Sequence, residues 1–509
     1  MSGLTICSRL YHQAQKHGDN AAVVFDGGTI SWSELLDHSL RMSSMLRAQG
    51  IRRGDRVALV CGNRPTFLIG WFAIANIGAI AVSVNTGLIG ESLRYTLTQS
   101  ESSAMIIESS LLDEKAAYLN DLPGIRFCFT LESEDDLLAQ LATFSADTVY
   151  EGHGSDPVSI IYTSGTTGRA KGVLNCHEAF LASGRQMVQY LGITAEDRIM
   201  VFLPLFHTNP QMYAVMSALE TGCAIVLRPR FSVSQFFNDA RRFECTMFTY
   251  VGTVLSMLTS RIKDSCLDHP ITRCMGGGCP ASVWSALQER FGITPYELYG
   301  MTEVGGWVTS NSIQNYRYGS CGKARPDVSV RVVDAHDNPV PAGVAGEIVL
   351  RPENPFIFLL GYWNDPATTW EGSRNFWFHT GDIGLIDADG YLFFQGRLKE
   401  IIRRGGENIS PFEIEIALLE YPAIRDAAVV PIPDEIYGEE IKAVIVSAAP
   451  LSLDDLVRFL REKVPAHMIP RYLQHVQTIP RTETQKIQRH LLVKDQRGVI
   501  DLTAEITHV

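Results

Sequence analysis

The sequence lacks the features that mark several common classes of protein. Its ten cysteines include no Cys-x-x-Cys pair and no Cys/His cluster at the spacing of a zinc site, so we interpret them as reduced thiols. Lysine and arginine number 44 against 56 aspartates and glutamates, and they form no basic cluster. Because a nucleic-acid surface needs such a cluster, we expect polyanionic ligands to be held by a few local cations.

Targeting signals are also missing. The first eleven residues contain no long apolar core, and the last three are not a peroxisomal address. The segment Phe67–Val84 is almost wholly apolar and nearly long enough to span a bilayer. Because Gly78 divides this segment, it predicts a buried helix and then a buried parallel strand. We therefore expect a cytoplasmic protein without an integral membrane span.

The chain is long enough for more than one hydrophobic core. At 509 residues we expect at least two domains. Ser31, with Glu34 three residues later, predicts a capped helix up to about Gln49, and Val57–Cys61 has the composition of a buried strand. Helix and buried strand continue to alternate through Ala104–Ile107, which predicts an α/β fold with parallel strands.

The most informative stretch is Ile160–Val173, where an apolar run gives way to small residues and two cations, Arg169 and Lys171. Glycines let the backbone approach a ligand closely and hydroxyls donate hydrogen bonds, so the stretch predicts a phosphate-binding loop. Gly172 follows Lys171, which excludes a Walker A loop and favours a β-hairpin. The alternative is a polar hairpin turn without a ligand. The small residues are Thr163, Ser164, Gly165, Thr166, Thr167 and Gly168.

This loop resembles the phosphate loop of the AMP-forming adenylating enzymes, the family of acyl-CoA synthetases, peptide-synthetase adenylation domains and luciferases. Tyr299-Gly300-Met301-Thr302-Glu303 resembles the Y-G-x-T-E signature of the same family. An aromatic ring such as Tyr299 can stack on a purine, and the hydroxyl of Thr302 can bond the α-phosphate. The carboxylate of Glu303 can hold Mg²⁺.

Two further turns resemble nucleotide contacts of the family. A triple glycine after an apolar strand lets a flat ring lie against the backbone, which suits an adenine slot. The alternative is a tight turn between a strand and a helix. The resemblance assigns Gly277, Gly278 and Cys279 to the adenine, and Asp382 and Arg397 to the ribose.

The resemblance also predicts a division of the chain. Lys399 occupies the hinge position of the family, so we expect a large domain over residues 1–396 and a small α+β domain over residues 397–509. Lys486 lies in the segment that carries the family's adenylation lysine. Gln485 stands where a glycine usually precedes that lysine.

The implied reaction has two steps, with ATP, Mg²⁺ and coenzyme A taking part. The substrate carboxylate attacks the α-phosphorus of ATP while Lys171 and the loop hydroxyls hold the leaving pyrophosphate. Thr302 and Glu303 with Mg²⁺ hold the α-phosphate, and Lys486 neutralises charge at the reacting oxygens. Rotation about the hinge then admits the thiol of coenzyme A. The predicted coenzyme A contacts are Gly405, Gly406, Glu407 and Arg471.

The acyl group is the part that the sequence constrains least. His207 follows a Pro-Leu-Phe turn, and it is interpreted either as a packed residue or, by resemblance, as a gate of the acyl pocket. A mostly apolar and aromatic wall suits a short or medium acyl chain or an aryl acid. Resemblance to crotonobetaine and carnitine CoA ligases adds a cationic acid held by aromatic faces. The predicted wall consists of His207, Asn209, Tyr250, Val251, Gly252, Gly276, Met301 and Trp307.

Three other functions remain open. They are transfer of the acyl group to the phosphopantetheine of an acyl carrier protein, a luciferase-like oxidation, and nucleotide binding by a regulator without catalysis. Gln485 is the only feature that favours the regulator. A homodimer is also left open.

Overall fold

The computed structural model describes residues 4–119, 124–163, 170–404, 407–434, 436–448, 451–481 and 487–502. Several predicted site residues lie outside these ranges, and their assignments stay predictions. They are Ser164, Gly165, Thr166, Thr167, Gly168, Arg169, Gly405, Gly406, Gln485 and Lys486.

Fifteen α-helices are formed by the described residues. They are α1 (Ile6–His17), α2 (Trp32–Ala48), α3 (Pro65–Asn76), α4 (Gly90–Gln99), α5 (Ser109–Leu119), α6 (Glu134–Leu141), α7 (His177–Leu191), α8 (Met216–Thr221), α9 (Phe236–Arg242), α10 (Gly252–Arg261), α11 (Ala281–Phe291), α12 (Pro366–Glu371), α13 (Pro411–Leu419), α14 (Leu453–Lys463) and α15 (Arg489–Lys494). A π-helix, Pro210–Val215, runs directly into α8.

The described residues form twenty-six β-strands. They are β1 (Ala21–Phe25), β2 (Gly28–Ser31), β3 (Arg56–Val60), β4 (Ile80–Ser83), β5 (Ser102–Glu108), β6 (Phe127–Leu131), β7 (Pro157–Thr163), β8 (Lys171–Cys176), β9 (Arg198–Val201), β10 (Ala224–Leu227), β11 (Met247–Val251), β12 (Arg273–Gly277), β13 (Thr294–Tyr299), β14 (Thr309–Ser310), β15 (Lys323–Ala324), β16 (Val328–Val333), β17 (Gly346–Pro352), β18 (Gly361–Tyr362), β19 (Phe378–Ile386), β20 (Leu392–Arg397), β21 (Ile402–Arg404), β22 (Glu407–Ile409), β23 (Ile424–Asp434), β24 (Gly438–Ser447), β25 (Tyr472–His475) and β26 (Val499–Asp501).

Two large sheets make up most of the N-terminal part. One has nine strands in the order β15-β14-β13-β12-β11-β9-β10-β1-β2, and the other has seven in the order β18-β8-β7-β4-β3-β5-β6. Their central strands are parallel, as the alternation of helix and buried strand predicts. A four-stranded antiparallel sheet, β16-β17-β19-β20, follows, and β21 to β26 form the sheet of the smaller C-terminal part.

Local sequence signals account for several of these elements. Helix α2 begins after a complete capping box, in which Ser31 Oγ accepts from the Glu34 amide at 3.2 Å and Glu34 Oε2 accepts from the Ser31 amide at 2.8 Å. The apolar segment Phe67–Val84 forms all but the first two residues of α3 and the whole of β4, both fully buried. Among the described residues, none of the helices combines the length and apolar character that a membrane crossing requires.

The predicted hairpin at the phosphate loop is confirmed at its base. Strands β7 and β8 pair in antiparallel register from Pro157 opposite Cys176 to Thr163 opposite Lys171. This register places Lys171 directly across from Thr163, so both ends of the loop meet at the same place.

Candidate active site

A cavity of about 1470 Å³ opens at the carboxyl ends of the parallel strands. The nine-stranded sheet lines it with residues that end or follow β9 to β13, and the seven-stranded sheet with residues at the ends of β4 and β7. Parallel strands deliver their carboxyl ends to one edge of a sheet, which is where α/β folds bind ligands. Phe394 and Arg397 of β20, with Phe412 and Ile416 of α13, complete the lining.

The structure brings many of the sequence-predicted residues together around this cavity. They come from separate stretches spread over more than two hundred positions of the chain. Those that line the cavity are Thr163, His207, Asn209, Val251, Gly277, Gly278, Cys279, Tyr299, Gly300, Met301, Thr302, Asp382 and Arg397.

Other predicted residues lie elsewhere. Tyr250, Gly276 and Trp307, predicted as acyl walls, are buried behind the lining. The Tyr250 hydroxyl points away to Glu297, to which it donates at 2.7 Å, and the Trp307 indole lies under the guanidinium of Arg325, 5.2 Å from it. Of the residues predicted to contact the acyl group, the structure therefore places only some around the cavity, and those are His207, Asn209, Val251 and Met301.

One cluster joins Tyr299 and Asp382, which are buried, to the partly exposed Arg397. The Tyr299 hydroxyl donates to Asp382 Oδ2 at 2.8 Å, and Arg397 Nε lies 3.3 Å from Oδ1. Asp382 and Arg397 are also direct partners across β19 and β20. Burial, and then the negative charge of Asp382, raise the pKa of Tyr299, so its hydroxyl stays a donor. A carboxylate fixed in this way is suited to accept from the hydroxyls of a sugar.

The glycine turn beside this cluster is held by a carboxylate that the motif analysis missed. Glu297 accepts from the backbone amides of Gly278 and Cys279 and from the Tyr250 hydroxyl. Burial raises the pKa of Glu297 from its ordinary value of 4.5 to about 7. The signal was its place on β13, two residues before Tyr299 and hence on the same face of the strand. Gly278 has a φ of +88°, which a residue with a side chain rarely adopts.

Thr302 and Glu303 lie just beyond this turn. The Thr302 hydroxyl is 2.7 Å from that of Thr208, and Glu303 is buried, with Oε1 accepting from the Tyr362 hydroxyl at 3.0 Å. The ring of Tyr362 lies 5.1 Å from Lys171 Nζ. Tyr362, which the sequence analysis did not identify, thus contacts both the cation of Lys171 and the carboxylate of Glu303.

Glu303 and Thr302 place a carboxylate and a hydroxyl where oxygen ligands for a metal ion could lie. Within the described residues, no group of three or more His, Cys, Asp or Glu side chains is arranged to hold a metal unaided. Mg²⁺ is usually bound through one or two carboxylates together with substrate phosphates and water. The single buried carboxylate of Glu303 beside the hydroxyl of Thr302 fits a Mg²⁺ ion that arrives with a nucleotide.

Asn63 organises the opposite side of the cavity. Its Nδ2 donates to the carbonyls of Leu203 and Arg228 at 2.9 and 3.1 Å, and its Oδ1 accepts from the Leu205 amide at 2.8 Å. These bonds fasten the turn before His207 to the segment that follows β10. His207 therefore lines the cavity on a fixed turn.

The comparisons with known proteins agree with this geometry. The family model described as AMP-binding enzyme matches residues 10–363, and the model described as AMP-binding enzyme C-terminal domain matches residues 413–486. The chain belongs to the AMP-binding enzyme family. The family and the α/β fold class with a large N-terminal and a smaller C-terminal domain are confirmed.

Several members of the AMP-binding enzyme family resemble the whole chain. A probable CoA ligase, CCL9, from Humulus lupulus is 30% identical, with 97% of each chain covered. A crotonobetaine/carnitine–CoA ligase from Salmonella paratyphi A is 31% identical, with 93% of this chain and 96% of the relative covered. The crystal structure of the anthranilate CoA ligase AuaEII with anthranoyl-AMP superposes with a TM-score of 0.90 at 25% identity, covering 97% of each chain. Together they support activation of an acid as an acyl-adenylate followed by transfer to coenzyme A.

Residues predicted to serve the second step lie away from the cavity. Lys399, the predicted hinge, is exposed just after β20, and Glu407 begins β22. Arg471 is ion-paired with Asp434 and Asp501, each at 3.1 Å. Its contact with coenzyme A phosphates therefore stays a prediction that would require these pairs to open.

Proposed function

We propose that this member of the AMP-binding enzyme family joins a carboxylic acid to coenzyme A inside the described cavity. ATP and the acid form an acyl-adenylate with release of pyrophosphate, and the thiol then displaces AMP. The observation that supports this most directly is the cluster of Tyr299, Asp382 and Arg397 beside the glycine turn. A nucleotide needs a carboxylate for its ribose hydroxyls and a flat backbone surface for its adenine, and the cluster and the turn offer these side by side.

The nucleotide would lie along the carboxyl ends of β12 and β13. Its adenine would pack on the backbone of Gly277–Cys279 and on the ring of Tyr299, and its ribose hydroxyls would donate to Asp382. The Thr302 hydroxyl is placed to donate to the α-phosphate. Because the amides of the turn are already held by Glu297, this surface is preorganised and costs little to order on binding.

Three charged residues would serve the phosphates. Lys171 at the base of the loop would neutralise the leaving pyrophosphate, and Lys486 the charge on the reacting oxygens. Glu303 would hold Mg²⁺, which supplies charge neutralisation on the phosphates. The acid needs no general base, because a carboxylic acid with a pKa of about 4 is already ionised near neutral pH.

The small domain would carry the second step. We place its boundary between residues 396 and 397 with Lys399 as the hinge, so that rotation withdraws Lys486 and admits the thiol past residues 405–407. His207, on its fixed turn beside the acyl side, would separate the thiol path from the acid before that rotation. The homodimer stays a prediction, and light scattering of the purified chain would check it.

The first experiment is pyrophosphate release from ATP and Mg²⁺ across a panel of carboxylic acids, with and without coenzyme A. We expect one class of acid to drive release, and AMP with acyl-CoA to accumulate only when coenzyme A is present. Acyl-AMP that reacts with a phosphopantetheine carrier protein but not with coenzyme A would favour the carrier-dependent alternative. ATP binding without pyrophosphate release from any acid would favour the regulator.

A lysine pair gives this test a matched control. We expect Lys486→Ala to lower the rate of adenylation by a factor of roughly 100 or more while ATP still binds, because one charge at the reacting oxygens is lost. Lys494→Ala, in the exposed last turn of α15, should change neither. Equal loss in both variants would show a general weakening of the small domain and would contradict the role of Lys486.

A further inference from the structure

The charged side chains around the cavity are few, and most already have partners. The charged residues among the described lining residues are Glu91, Arg230, Glu297, Asp382 and Arg397. Asp382 is paired with Arg397, and Glu297 is held by three donors. The proposed function uses these three and leaves two charges, Glu91 and Arg230, without a task.

Arg230 lies on the acyl side of the cavity. It follows β10 by three residues, and the carbonyl of Arg228 shares the Asn63 amide with the carbonyl of Leu203. The next residue, Phe231, packs its ring 5.1 Å from that of Phe202. Arg230 is therefore held beside the turn that leads to His207. The cluster of Tyr299, Asp382 and Arg397, by contrast, lies on β13, β19 and β20.

Neighbouring arginines differ from Arg230 in their partners. Arg228 pairs with Asp26 and Asp239, at 2.8 and 2.9 Å, and Arg242 pairs with Asp26 at 3.3 Å. Arg230 forms neither an ion pair nor a hydrogen bond with any part of the chain that the structure describes, although its side chain is exposed and lines the cavity. A guanidinium stays charged at all physiological pH values and offers five donors in a planar fork.

We propose that Arg230 binds a second carboxylate at the far end of the substrate acid, so that the substrate class is a dicarboxylic acid. This inference rests on the proposed function and names its acid. A carboxylate matches the guanidinium fork through two parallel hydrogen bonds. The neighbouring lining is apolar, formed by Phe202, Phe231 and Val254, so an anionic end group finds one cation there.

Glu91 sets the limits of this interpretation. It lies in the first turn of α4, on the side of the seven-stranded sheet, whereas Arg230 follows a strand of the nine-stranded sheet. The Arg230 guanidinium and the Glu91 carboxylate form no ion pair among the described residues. The alternative substrate, a quaternary ammonium acid, has a cationic end group. Arg230 would repel that group, so it would have to bind near the carboxylate of Glu91.

The test compares acids of equal chain length by the acid-dependent exchange of pyrophosphate into ATP, which reports adenylation over many turnovers without coenzyme A. The probes are a monocarboxylic acid, the corresponding α,ω-dicarboxylic acid and the corresponding ω-trimethylammonium acid. We expect the wild type to prefer the dicarboxylic acid and Arg230→Met to lower the ratio of its kcat/KM to that of the monocarboxylic acid by about tenfold or more, the usual scale for a charged hydrogen bond. Arg230→Lys should recover part of the ratio, since it restores the charge without the fork.

Two control variants separate this effect from general damage. Arg242→Met removes a cation from the outer side of the same region and should leave the ratio and the melting temperature unchanged. Glu91→Gln should raise activity with the dicarboxylic acid slightly or not at all. A wild type that prefers the trimethylammonium acid, with Glu91→Gln abolishing that preference, would overturn the proposal.

Other outcomes also decide the question. If Arg230→Met lowers both acids equally, or raises only the KM for coenzyme A in the complete reaction, the residue serves the fold or a coenzyme A phosphate and the proposal is wrong. Release of pyrophosphate with monocarboxylic acids but no preference for dicarboxylic ones would defeat this inference alone. If none of the acids drives pyrophosphate release, the proposed function itself is wrong.

Discussion

The two sides of the cavity are built on different principles. On the nucleotide side, buried polar groups are bound to one another before any ligand arrives, as in Tyr299 with Asp382 and Glu297 with the glycine turn. The other side, which we propose for the acyl group, is lined largely by aromatic and aliphatic side chains. Its polar groups include Asn209 and Glu91, and its cation Arg230 forms no ion pair or hydrogen bond among the described residues. A polar ligand of fixed shape rewards such preorganisation, whereas an apolar wall selects by size and by its few charges. Changes on the nucleotide side should therefore impair the use of ATP with every acid, whereas changes on the acyl side should alter the preference among acids.

A backbone contact between the two sides provides the largest expected effect. A Cβ at Gly252, at the start of α10, would lie 1.8 Å from the carbonyl oxygen of Gly278. Gly252→Ala must therefore displace the turn that we propose packs on the adenine. We expect kcat/KM for ATP to fall by about 100-fold, the scale of a displacement of roughly 1 Å in a site. Pyrophosphate exchange at varied ATP concentration measures it.

Gly62→Ala is the matched control. A Cβ there would meet only Glu108 Oε1, at 3.5 Å, which is ordinary contact. This variant should keep the wild-type kcat/KM within about a factor of two, because the added methyl group overlaps no neighbouring atom and so causes none of the overpacking that displaces a core. If Gly252→Ala retained ATP affinity and lost only its preference among acids, the two sides would not be coupled through this contact.

The second prediction concerns Glu297, which holds the nucleotide side together. Glu297→Gln places an amide where two backbone amides and a hydroxyl need acceptors, so at least one donor loses its partner. We expect the free energy of unfolding to fall by about 1–3 kcal/mol, the cost of a buried unsatisfied donor, and the KM for ATP to rise. Denaturant titration and ATP kinetics measure both quantities.

The same variant has a pH signature. Because the pKa of Glu297 is raised in the folded state from 4.5 to about 7, the stability that comes from its protonated form is complete below pH 4.5 and is lost as the pH rises through about 7. The wild type should thus lose stability relative to Glu297→Gln over this interval. A difference between the two proteins that does not change from pH 4.5 to 7 would show that Glu297 does not titrate there.

The contrast between the two sides also explains what the sequence predicted. Motifs of adjacent residues, such as Y-G-M-T-E and T-G-D, bring their own local geometry, so the structure gathers Tyr299, Thr302 and Asp382 in one cavity. Glu297 could have been predicted, because alternate residues of a strand share a face and Glu297 lies two residues before Tyr299 in β13. Tyr362 could not be predicted from the sequence, because its contact with Glu303 depends on a pairing of β18 with β8 across almost 190 positions.

The acyl side was harder to predict because it depends on which way each side chain points. Successive residues of a strand face opposite sides, so Val251 lines the cavity while the neighbouring Tyr250 turns to Glu297. Trp307, an aromatic residue near the signature, packs instead against Tyr190 at 5.1 Å. Arg230 belongs to no motif, and only its three-dimensional neighbours reveal where it lies.

The smallest predicted effect comes from removing one hydroxyl on each side, which tests the comparison with a matched pair. Tyr299→Phe takes a donor from the buried carboxylate of Asp382, whereas Tyr213→Phe takes one from the neutral carbonyl of Gly306, 2.8 Å away. Hydrogen bonds to a charged group contribute about 1.5–3 kcal/mol and neutral ones about 1 kcal/mol. We expect the KM for ATP to rise about tenfold in Tyr299→Phe.

In Tyr213→Phe the KM for the acid should change by less than about fivefold, the equivalent of one neutral hydrogen bond, and the KM for ATP should stay constant. Initial-rate kinetics with each substrate varied in turn measure both constants. Equal effects on ATP in the two variants would mean that the polar network extends into the acyl side, because Tyr213 itself lines the same cavity. The division into a preorganised side and a selective side would then have to be drawn farther along the apolar wall, beyond the π-helix that carries Tyr213.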